Sequence, residues 1–189
     1  MLTIKLSKGP DAAEAAIRVA LEQICQDQHA PQVLRDVNPA ELKIGVHHQV
    51  YDLPVDSLLA DQGLEAARLS SSRYLLAKGG KSLAAAEVTA DGAGKKATFN
   101  LLNVGPFVEG FEKAVRAAEA LPNGGDYSCQ VLRIAPLYVL ALWLKPLAGG
   151  DAILLPIHPA PAFLSADKYT QEDFLNALKP HAKTLITLA

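Results

Sequence analysis

Basic excess, cysteine, aromatic residues and long apolar runs are all scarce in this sequence, and each scarcity excludes something. Twenty acidic residues face 18 basic ones, a formal charge of −2 over 189 residues. Proteins that grip a nucleic-acid backbone carry a basic stripe and a high pI. Here the pI is near 6.2 and the only adjacent basic pair is Lys95-Lys96, in an expected turn. With one Trp, five Tyr and five Phe, stacking platforms are few as well. No nucleic-acid partner is expected.

The longest apolar run, Ile134 to Leu144, is about half what a membrane-spanning helix needs. Lys145 and the Gly149-Gly150-Asp151 turn then interrupt it. The N-terminal MLTIKLSKGPD has no apolar stretch of signal-peptide length. A cytoplasmic protein with no membrane partner is expected. The two cysteines, Cys25 and Cys129, are too few for a disulfide scaffold and are read as free thiols.

What is present is a globular composition, half apolar and one-fifth charged. Its length fits a single domain over 1–189. Leu2, Ile4 and Leu6 alternate with Thr3, Lys5 and Ser7, the period of a half-buried strand. Pro10 suits the first position of a helix over 10–27, whose apolar stripe is Ala13, Ile17, Ala20, Leu21 and Ile24. A helical turn is expected at Pro39-Ala40-Glu41, a strand over Leu42–Tyr51 and a short helix over 55–60. Leu64–Leu69 reads equally as strand or helical turn.

The clearest local signal is Gly79-Gly80 between two strand-like segments, Arg73–Lys78 and Lys81–Val88. A two-residue Gly-Gly link fits a tight hairpin that needs positive φ. The Asp91-Gly-Ala-Gly94 turn then leads to a third strand, Ala97–Leu102. Gly105-Pro106 opens a second long helix, which Pro122-Asn-Gly-Gly125 ends. Strands over 127–134, 137–145 and 152–158 follow, the middle one apolar on both faces and therefore central. Thr170-Gln-Glu-Asp173 reads as a capped helix start, and Pro180 should kink or split that last helix. The expected fold is α+β: a mostly antiparallel sheet of about six to eight strands with two or three packed helices.

No motif identifies a chemistry. Gly-x-Ser-x-Gly is absent, as are a dinucleotide fingerprint and a complete phosphate loop. Gly79-Gly80-Lys81-Ser82 lacks the upstream glycine of that loop. His47 and His48 are neighbours on a strand, so they point to opposite faces and cannot easily share a metal. No metal site and no cofactor are expected. The leading expectation is a non-catalytic binding or protein-interaction domain that self-associates as a homodimer. The rival is a small-molecule enzyme whose site gathers His47, Tyr51, Cys129 and His158 at one end of the sheet. A third reading is a binder of an apolar ligand, held in a cavity lined by Trp143 and Phe163.

Overall fold

The structure, a computed structural model, describes residues 2–5, 9–35, 37–122 and 124–187. Leu6 and Ser7 of the expected first strand lie outside these residues, as do Asn123 and the side chains of Val46 and Ile186. The order of elements is β1 (Leu2–Lys5), α1 (Ala13–Gln26), β2 (Lys43–Asp52), α2 (Val55–Leu59), β3 (Arg68–Lys78), β4 (Lys81–Ala90) and β5 (Ala97–Val104). Then come α3 (Pro106–Glu119), β6 (Gly125–Ile134), β7 (Val139–Pro146), β8 (Ile153–Pro156), β9 (Tyr169–Thr170) and α4 (Gln171–Thr187). Short 3-10 turns occupy Pro39–Glu41, Leu64–Ala66 and Ala135–Leu137.

The α+β class and the mostly antiparallel pairing are as expected. The strands among the described residues number nine and the α-helices four, counting the five-residue α2. The extra strand, β9, has two residues, too few to carry an alternating pattern. The first helix begins at Ala13 rather than Pro10, because Pro10 to Ala12 form a turn closed by Ala13 N–H donating to the Pro10 carbonyl at 3.1 Å. The last helix is continuous through Pro180 and is not split. No helix among the described residues is long and apolar enough to cross a membrane.

The chain forms two compact units: Met1–Lys5, Gln49–Ser70 and Gly110–Ala189 in the first, Leu6–His48 and Ser71–Glu109 in the second. No linker marks the division, because β2, β3 and α3 each have residues in both units.

In the first unit the sheet runs β6-β7-β8-β9, antiparallel throughout. Along the other side of β6 lie two parallel strands end to end. Leu2–Lys5 is paired with Gly125–Ser128, and Gln49–Asp52 with Gln130–Arg133. One face, carrying Leu132, Ile134, Ala141, Trp143 and Leu154, packs under α2 and α4 through Leu58, Phe174 and Leu178. The other face carries Tyr127, Cys129 and Val131, one position out of step. Helix α3 reaches that side: Glu119 lies near Cys129, and Gly110 packs against the His158 backbone.

In the second unit the strand order is β5-β4-β3-β2, with α1 against β4 and β5. Ile17 and Leu21 of α1 share a core with Tyr74, Leu76, Ala86 and Val88. Gly79 and Gly80 have φ of 59° and 82°, the mirror-image turn their sequence implies. On the opposite face of this sheet Arg73 Nη1 donates to Glu87 Oε1 at 3.3 Å and Ser71 Oγ donates to Glu87 Oε2 at 3.0 Å, all three residues buried.

Candidate ligand-binding site

A cavity with both aromatic and charged lining lies in the first unit, at the end of β7 and the start of α4. Strand β7 supplies Trp143 and Lys145, which are two residues apart and so share a face. Lys145 Nζ lies 5.6 Å from the centre of the Trp143 ring. Tyr51, from β2, meets that ring edge-on at 5.7 Å and 81°, and its hydroxyl donates to Gln49 Oε1 at 3.3 Å. The connection from β7 to β8 turns at Gly149 and Gly150, with φ of 53° and 113°. These are angles that glycine adopts without strain.

Helix α4 is fixed at its start by Thr170, whose Oγ1 accepts from the Asp173 N–H at 3.1 Å and donates to Asp173 Oδ2 at 2.8 Å. This sets Gln171 at the first helical position. A Cβ on Gly63, whose φ is 70°, would meet the Glu65 carboxylate, and Gln171 Nε2 lies 3.7 Å from the same point. Glu65 and Gln171 therefore converge on one spot from segments a hundred residues apart.

Together these residues line a cavity of about 260 Å³, with Leu64, Ala67 and Ala152 completing the wall. A second lobe of about 540 Å³ shares Gly150, Ala152 and Gln171 and adds Asp151, Thr170, Glu172 and Lys179. Lys179 is already paired with Asp61 at 2.5 Å and holds that carboxyl below its usual range. Neither Glu65 nor Lys145 makes an ion pair among the described residues. Trp143 is 6% exposed, and its indole N–H, shut off from solvent, has no hydrogen-bond partner among the described residues. An unpaired buried donor costs about 1–3 kcal/mol.

Of the residues singled out from the sequence, Tyr51 and Trp143 come together here. Phe163 packs against the same core, but it stacks on His181 at 3.9 Å and 17° rather than lining the cavity. Cys129 is buried on the opposite face of the sheet. Burial, with a smaller push from Glu119, raises its thiol to about 12, the reverse of an activated nucleophile. His47 is buried in the second unit with its ring centre 5.5 Å from that of Tyr74. His158 is exposed just past β8. Among the described residues no group of three or more His, Cys, Asp or Glu could hold a metal ion.

Sequence reasoning missed Glu65 and Gln171. Gln171 was in view only as part of a helix start, and Glu65 lay in the segment read equally as strand or turn. Lys145 was visible as the end of an apolar run, and its spacing from Trp143 is a signal that could have found it. No protein-family model matches the chain, and no curated protein or solved structure matches it.

Proposed function

We propose that this chain is a non-catalytic binding protein that holds a small molecule in the cavity beside Trp143. The observation that carries the reading is Trp143 itself, a buried ring that lines a cavity together with Tyr51, Lys145, Glu65 and Gln171. Aromatic walls with a few convergent polar groups are the usual furnishing of a ligand site. The enzyme reading has less support, since Tyr51 and Cys129 stand on opposite faces of one sheet and the Cys129 thiol stays protonated at neutral pH.

Self-association is proposed alongside it, favoured by Tyr138. This residue is 83% exposed and held at φ 54°, presenting an aromatic ring of the kind enriched at interfaces. The proposed compartment is the cytoplasm, where Cys25 and Cys129, both unpaired, would stay reduced. Native mass spectrometry of protein purified without added ligand tests both readings. A retained small-molecule mass on each subunit is expected, on a dimer. Bare subunits, together with Trp143 fluorescence that no member of a metabolite panel alters, would overturn the binding reading; a monomer at all concentrations would overturn self-association.

A further inference from the structure

Resting on the self-association reading, we propose that two copies of the chain join edge to edge through β5, with the adjoining flank of α1 as a second layer. The strand itself is the first argument. It ends the sheet of the second unit, and among the described residues no strand pairs with its outer edge. Five of its eight residues, Ala97, Phe99, Leu101, Leu102 and Val104, are apolar, yet none of the eight is buried, whereas most of β4 beside it is. Charge and proline, the usual guards of an open edge, are absent from β5. The bulge at Asn100, where Phe99 pairs with Val88 and Leu101 with Glu87, bends the strand near its middle. A two-fold axis at that point gives both copies the same bend.

Charge is the second argument. Arg18 of α1 donates to the Pro39 and Leu42 carbonyls at 3.1 and 2.7 Å, and Glu14 lies near Tyr74, so this flank of the helix faces β2 and β3. The opposite flank, on the β5 side, is Ala12, Ala16, Val19 and Gln23, uncharged and with Val19 58% exposed. Ala12 N–H ties its start to the turn before β5 by donating to the Gly94 carbonyl at 3.3 Å. An isologous pair sets each patch against itself, where like charges would repel, and here strand and flank have none. Lys95 and Lys96 precede β5, and Glu109 follows it in the first turn of α3; all three are exposed and in no ion pair among the described residues. Antiparallel pairing carries the lysines of each copy to the glutamate end of the other. A closed pair also uses up both edges, which left open would recruit further chains.

Sedimentation velocity and native mass spectrometry of the full chain test the pairing. A Thr98→Lys, Asn103→Lys variant sets lysines against each other across the two-fold axis and should weaken the dimer at least about tenfold. Thr98→Glu, Asn103→Glu should do the same. Mixed, the two should form a heterodimer recognised by its mass, which also shows that both fold. Val19→Lys, which leaves the strand untouched, should weaken the dimer as well. Double variants that dimerise as tightly as the unchanged chain would overturn the β5 pairing, as would a mixture that stays monomeric with native circular dichroism. A dimer lost in Tyr138→Ser but kept in the β5 variants would overturn it too, while leaving self-association standing. An unchanged chain that is monomeric at all concentrations would overturn both.

Discussion

Arg133 grips Asp52 with two parallel hydrogen bonds, Nε to Oδ1 at 2.6 Å and Nη2 to Oδ2 at 3.1 Å. The two residues are direct partners in the parallel pairing of β2 with β6, and Arg133 Nη2 also donates to Ser70 Oγ at 3.3 Å. Bidentate geometry lifts such a pair above an ordinary surface contact, although the carboxylate is 43% exposed. A double-mutant cycle of Asp52→Ala and Arg133→Ala, read from urea midpoints, should give a coupling of about 1 kcal/mol that shrinks in high salt. A coupling indistinguishable from zero would mean that the pair is simply solvated.

The thiols should differ in reactivity. Cys129 is buried, and its thiol sits at about 12. Cys25 is half-buried, with a thiol raised by burial alone. At pH 8 iodoacetamide should label Cys25 slowly and leave Cys129 untouched until urea unfolds the chain. Peptide mass spectrometry reads the two sites separately, and early labelling of Cys129 would contradict its burial.

Alkaline pH should weaken the fold, and the sign follows from the same thiol. Its ordinary value is 9.0 and its folded value about 12, so the native state keeps a proton that the unfolded state gives up. The stabilisation is complete below pH 9 and is lost as pH rises toward 12. Tyr74, raised from 10.0 to about 12 by burial and by Glu14, acts in the same direction. Urea midpoints measured from pH 8 to pH 11 should fall, and they should fall less steeply in a Cys129→Ala, Tyr74→Phe variant.

Gly110 lies within α3, where its lack of a Cβ lets the helix contact the His158 backbone; an added methyl would collide with the His158 carbonyl. Backbone cannot step aside as a flexible side chain does. Gly110→Ala, which in an open helix would help, should instead destabilise by about 1–3 kcal/mol. An unchanged or higher Tm would show that the contact is looser than the structure indicates.

Pro180 sits in the interior of α4 and supplies no N–H to the turn before it. Pro180→Ala should raise the Tm, with a gain of up to about 3 kcal/mol. A loss would mean that the ring's packing outweighs the missing hydrogen bond.

The parts of this fold legible in the sequence are those decided by local physics. Gly79-Gly80 announced a hairpin because few residues tolerate two successive positive φ angles. Thr170 and Asp173 announced a helix start because the cap needs only residues three apart. Local rules misplaced the start of α1 and overstated Pro180, which a helix packed through Phe174, Leu178 and Ala182 can carry. The candidate site was half legible. Tyr51 and Trp143 drew notice as residue types, but what makes them a site is the meeting of Glu65 with Gln171, and no spacing rule joins those two segments. The division into two units was invisible because it falls inside strands and a helix.

The end-to-end placement of β1 and β2 along β6 also imposes a timetable. On a ribosome the second unit has its whole sequence available once Glu109 has emerged. Leu2–Lys5, made well before Gly125–Ser128, must wait for it before it has a partner strand. This strand is thus secured late, and until then its apolar residues are exposed to other chains.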